Sequence, residues 1–336
     1  MISATDQATC TVVVSRGQSR NPKKRELEQA ITDFAAQLDG VDVIVVPHLY
    51  DLPKTSESYQ KLSAIEGDMI VVSWIYSRAA HWVLDRNGIQ GQFGDVQLGA
   101  DESDAEEDEA EEEDTQTEAS DPTVVVDRVA ELYPRPQRMI HCLDLKISDQ
   151  SDDYLAELRR IMGLEEEPPK SLPIVGGQLV QVEETTSRRW YPVIDFSRCT
   201  NCMECIDFCL FGVYGVDTIE TILVEQPDNC RKGCPACSRV CPENAIIFPQ
   251  HKSPAIAGAP VEAGGLKIDL SKLFGAPESD EDSISVAARE RDEQLLLAGR
   301  AAVGLSVGIP KRQENKEDGP KDDLDNLLDE LDAMDL

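Results

Sequence analysis

The sequence predicts an α/β N-terminal domain with a mainly parallel sheet, then a small cysteine-rich α+β module and a largely disordered acidic tail. Three observations carry this. Apolar, β-branched runs alternate with helical periodicity up to about residue 96. Eight of the ten cysteines fall between Cys199 and Cys241. Acidic or Pro/Gly-rich stretches separate and follow these regions, and such stretches cannot bury enough apolar surface to order themselves.

The run at residues 11–14 is apolar and β-branched, a buried strand. Asn21-Pro22 then reads as an N-cap with Pro at the first helical position. Leu27, Ala30, Ile31, Phe34, Ala35 and Leu38 recur at helical spacing behind it. Residues 41–46 form a second strand, 56–65 a helix, 69–73 a third strand and 76–87 another helix. Strands separated by helices imply βαβ units and a parallel sheet. Residues 101–121 hold thirteen acids and no Lys or Arg, which predicts a disordered insertion at 98–121. A helix at 123–132, a strand at 139–145 and a helix at 152–162 complete an α/β domain spanning 8–164. Residues 165–189 read as a linker, 190–250 as the cysteine module and 251–336 as the tail. Within the tail, residues 284–303 and 322–336 carry apolar positions at helical spacing. The second stripe reads either as an interaction helix or as a partly helical disordered segment.

The chain has 336 residues and a formal net charge of −32. That charge repels phosphate, so nucleic acid is not expected as a partner. It fits docking to a partner with a basic surface. The N-terminus has no basic region leading into a long apolar run, and no apolar stretch is long enough to span a membrane. The expected location is the cytoplasm.

The cysteines form two motifs. The first is Cys199-x2-Cys202-x2-Cys205-x3-Cys209, and the second is Cys230-x3-Cys234-x2-Cys237-x3-Cys241-Pro242. Soft, charged thiolates suit iron–sulfur clusters. Structural zinc instead favours paired knuckles with a long spacer. These motifs resemble those of the bacterial two-[4Fe-4S] ferredoxin family, over residues 190–249. The resemblance implies two [4Fe-4S] clusters that carry single electrons. Cys199, Cys202, Cys205 and Cys241 would hold one, and Cys230, Cys234, Cys237 and Cys209 the other. It also implies a pseudo-two-fold. Val193-Ile194-Asp195 precedes the first motif and Ala245-Ile246-Ile247 follows the second, while Gly212 and Asn244 sit at equivalent offsets where positive φ is tolerated. Two departures stand out: Leu210 replaces the proline expected after Cys209, and the second motif has an extra residue after Cys230.

In the N-terminal domain, residues 15–20 follow the first strand, at the carboxyl end of a parallel sheet where α/β proteins bind ligands. A helix N-terminus with Arg16 and Arg20 suits an anion, although the loop is neither a Walker A nor a G-x-G-x-x-G sequence. The pattern shares features with small tetrapyrrole chelatases, with His81 at the position of their second metal-binding histidine. Arg16 stands where their first histidine would be, which counts against metal insertion. His48, His141 and His251 show no metal spacing, and Cys10 and Cys142 read as packed residues unless their strands are neighbours. The leading expectation is an electron-transfer protein. The alternatives are a redox or chelatase-like enzyme acting on a small anionic or tetrapyrrole substrate, and a cluster-based sensor or scaffold.

Overall fold

A computed structural model describes residues 10–38, 40–99, 129, 135–164, 177–260 and 283–307. Most of the acidic insertion, all of the helix expected at 123–132 except residue 129, the first part of the linker and the stripe at 322–336 lie outside the described residues.

Six strands form one sheet: β1 (Thr11–Ser15), β2 (Asp42–Val46), β3 (Met69–Ser73), β4 (Gln92–Phe93), β5 (Met139–Asp144) and β6 (Leu179–Gln181). Their order is β4-β5-β3-β1-β2-β6, and every pairing is parallel. The alternation of side chains along β1 fills two cores. Val12 and Val14 face Leu27, Ile31 and Ala35 of α1 (Pro22–Ala35) and Tyr154 and Leu158 of α4 (Ser151–Met162). Val13 faces the opposite side, with Tyr59 and Leu62 of α2 (Glu57–Ser63) and Ala80, Val83 and Leu84 of α3 (Ser77–Arg86). The side chain of Asn21 caps α1 by accepting from Lys23 N at 3.0 Å.

β6 corrects the sequence reading. Leu179–Gln181 is not linker: it pairs with β2 and closes one edge of the sheet. Cys10 and Cys142 are not neighbours either. Cys142 lies on β5, separated from β1 by β3, and the two residues pack in opposite cores. Burial raises both thiols, Cys10 to about 11.

The cysteine module follows. β7 (Val193–Ile194) pairs antiparallel with β10 (Ile246–Ile247), which joins the two flanks of the pseudo-repeat. A hairpin of β8 (Tyr214–Val216) and β9 (Ile222–Val224) lies between α5 (Glu204–Phe208) and α6 (Ala236–Val240). A short helix, α7 (Pro254–Ala257), then leads to α8 (Ser283–Leu297).

The module is not a loosely tethered bead. Tyr191, Val193 and Ile247 belong to the same core as α2 and α3. The Tyr50 and Tyr191 rings stack at 4.3 Å. Tyr191 N donates to the Tyr50 hydroxyl at 2.7 Å and the Tyr191 hydroxyl to Tyr50 O at 3.0 Å. Arg78 of α3 reaches across to the buried carboxylate of Asp195 and to Asn244 O, so one side chain grips both flanks of the repeat.

Candidate functional site

The eight cysteines divide between two cavities. One is lined by Cys199, Cys202, Cys205 and Cys241. The other is lined by Cys209, Cys230, Cys234 and Cys237. Each set takes three thiols from one motif and the fourth from the other. The electrostatics repeat this division: Cys205 feels Cys241, Cys199 and Cys202, whereas Cys237 feels Cys209, Cys230 and Cys234.

Local backbone geometry explains how the loops wrap. Asn201 and Met203 have φ of 57° and 65°, and Gly233, which occupies the place of Asn201 in the second motif, has φ of 89°. These left-handed residues turn successive N–H groups inward, the arrangement that makes an anion-binding concavity. Gly212 and Asn244 have φ of 67° and 49°, as their equivalent offsets predict. Beyond each fourth cysteine the chain curls back on its sulfur. Backbone N–H groups at Phe211, Gly212 and Val213 serve Cys209, and those at Glu243, Ala245 and Ile246 serve Cys241. Ala245 N lies 3.3 Å from Cys241 Sγ.

Burial is the main force on these sulfurs. It pushes Cys199 up to about 12 and Cys234 up to about 11, and raises Cys205, Cys230 and Cys237 as well. Thiolates crowded into such a site need a positive charge among them, and iron supplies one on releasing the protons. Soft thiolates are the donor type that iron–sulfur clusters take, and each cavity offers four of them. The residues present therefore fit a cubane in each cavity.

The two cavities are unlike in charge. Glu204 and Glu243 line the first, and the nearby carboxylate of Asp195 raises Cys199. Arg291 of α8 lines the second and lowers the thiols of Cys209 and Cys234 against the upward push of burial. It is 1% exposed, lies 4.4 Å from the Phe208 ring centroid and donates to Gly304 O at 2.6 Å and Val307 O at 2.9 Å. α8 is thus part of the module rather than a helix adrift in a tail. Ala287 is buried against Phe208, Cys234, Ala236 and Val240, and Arg239 of α6 pairs with Glu290 at 2.8 Å. Sequence reading placed this helix but missed its partner. The second cavity has one more polar contact, from the Tyr214 hydroxyl to Cys237 Sγ at 3.1 Å.

In the α/β domain, Arg16 and His48 line one cleft at the carboxyl ends of β1 and β2. His81 does not join them: it is buried on α3 between Trp82 and Phe93, with ring centroids 5.1 and 5.0 Å away. The crevice between β1 and β3, where the strand order reverses, is filled by Trp74. Its indole donates to Glu28 at 2.7 Å and packs so closely on Gly17 that a Cβ there would sit 2.7 Å from the ring.

The cysteine motifs and the loops around them define a ferredoxin-type domain, and comparison with known proteins supports that class. Over 66 residues, the chain is 50% identical to an uncharacterized ferredoxin of Methanocaldococcus jannaschii. The match covers 19% of this chain and 44% of that relative, so it speaks for the ferredoxin-type domain alone. No family model matches the chain, and no solved structure does. Among the described residues, no helix is long and apolar enough to cross a membrane.

Proposed function

We propose that the chain is an iron–sulfur electron-transfer protein with two [4Fe-4S] clusters. Cys199, Cys202, Cys205 and Cys241 hold the first, and Cys209, Cys230, Cys234 and Cys237 the second. The observation that carries this is the pair of cavities, each lined by four thiols in a crosswise three-plus-one set. Clusters bound there supply one-electron chemistry. The chain's own residues do the rest. Phe208, Val213, Ile222, Ile246 and Phe248 exclude water. The backbone N–H groups after Cys209 and Cys241 stabilise charge on sulfur. Arg291 favours an added electron at the second site, while Glu204 and Glu243 disfavour it at the first. The pair is therefore polar, and the second site is the one that retains the electron.

The acidity of the chain supports a redox partner with a basic docking surface. The test of the reading is an iron and sulfide assay on anaerobically purified protein, which should find about eight of each per chain. Cys230→Ser should then remove one EPR signal and spare the other. About four irons, or zinc in their place, would overturn the two-cluster reading.

A further inference from the structure

The chain has 64 acidic side chains against 32 Lys and Arg, yet one cleft gathers unpaired cations. It runs from the carboxyl ends of β1 and β2 to the Cys230 loop, in two chambers that share Thr185 and Thr186. Arg16 and His48 line the first chamber. Arg188, Arg189, Lys232 and Cys230 line the second.

Most carboxylates along the cleft already have strong partners. Glu28 accepts from Gly17 N at 2.8 Å and from Arg25 and the Trp74 indole at 2.7 Å. Glu184 caps α2, accepting from Glu57 N at 2.6 Å and Ser58 N at 3.1 Å. Asp51 accepts from Arg189 N at 3.1 Å, from the Gln250 amide at 3.0 Å and from Gln18. Asp228 pairs with Arg189 at 2.7 Å, which also spends that cation. Exposed Glu183 accepts from the neutral Gln181 amide at 3.2 Å and so leaves one negative charge against the three cations that follow.

What remains is positive. Among the described residues, the side chains of Arg16, Arg188 and Lys232 make no hydrogen bond or ion pair. His48, 8% exposed, also lines the first chamber, with its Nδ1 turned to Asp51 Oδ2 at 3.6 Å. Arg188 acts electrostatically on the same imidazole. The hydroxyls of Thr185, Thr186 and Ser187 add neutral donors along the wall.

We propose that this cleft binds a small molecule with two oxyanion groups, one held by Arg16 and His48 and the other by Arg188 and Lys232, beside the Cys230 end of the second cluster. Two separated cationic positions select a doubly charged, extended ligand over a single small anion. The overall field of the protein repels anions, so capture elsewhere on the surface is disfavoured. The position beside the cluster rests on the reading under Proposed function; the anion site itself does not.

The test is calorimetric titration of the anaerobic, cluster-loaded protein at low ionic strength, with pyrophosphate and succinate as phosphate and carboxylate probes. At least one should bind at a single site. Arg16→Gln and Arg188→Gln, both at solvent-accessible positions, should each weaken it tenfold or more. Binding should also change the EPR signal that Cys230→Ser removes and leave the other unchanged. Failure of both probes to bind, or equal binding by both variants, overturns the cleft while the clusters stand. Single-site binding by protein that assembles no clusters supports the cleft and overturns the cluster reading instead. Binding that leaves both EPR signals unchanged overturns the position beside the second cluster.

Discussion

Replacing Arg291 by Gln should lower the reduction potential of one cluster and not the other. A positive charge beside a redox centre stabilises the more negative, reduced form, so removing it shifts the potential downward. A unit charge at roughly 8 Å through an effective dielectric of about 20 contributes about 2 kcal/mol. Asp292, whose carboxylate lies 3.4 Å from Arg291 Nε, offsets part of this. About half should survive, ~1 kcal/mol or on the order of 40 mV for a one-electron couple. The assay is an anaerobic redox titration followed by EPR. The side chain also satisfies the carbonyls of Gly304 and Val307, so Gln costs packing as well as charge. Arg291→Lys is the control. It keeps the charge and loses the planar fork, so its potential should stay close to that of the parent. Equal movement of both clusters would refute the reasoning, as would no movement, or a Lys variant that shifts as far as Gln.

Further outcomes follow from the packing. Arg78→Ala removes the nearest cation from the buried carboxylate of Asp195, which keeps Ser197 N at 2.9 Å and Arg198 Nε at 3.8 Å, and should destabilise the protein by about 1.5–3 kcal/mol in denaturant melts. Truncation after residue 282 removes α8 and uncovers the second cavity, so one EPR signal should decay in air well before the other. Cys10 and Cys142 should resist alkylation at pH 8 in the native protein and react on unfolding, because burial raises both thiols and keeps them protonated. Iron chelation should leave the β1–β3 sheet signal in circular dichroism while the module loses protection from hydrogen exchange.

The parts legible in sequence were those whose signal is local. Val12, Val13 and Val14 are apolar whichever side they face, and Cys199 to Cys209 carry their spacing within one loop and turn. Gly212 and Asn244 were legible because few residue types accept positive φ. β6 was not: Leu179 is half exposed, and only pairing with distant β2 makes those three residues a strand. α8 misled for a different reason. Its conspicuous Leu296 and Leu297 are 61% and 72% exposed. The buried stripe is instead Ile284, Ala287, Ala288, Arg291 and Leu295, with an arginine where an apolar residue would announce the face. The cleft was half visible: residues 15–20 stood out only as a loop at the sheet's carboxyl end with two arginines that suit an anion, and Arg188 and Lys232 come from far along the chain.

The shared core of Tyr191, Val193 and Ile247 with α2 and α3 bears on how the protein is made. Buried thiols without metal hold the module poorly, so a newly synthesised chain presents one apolar flank of its sheet domain to the cell until iron arrives. That interval is when aggregation and proteolysis compete with maturation. On the cluster proposal, metal insertion completes the folding of this module, and iron starvation should appear first as lost protein rather than as lost electrons.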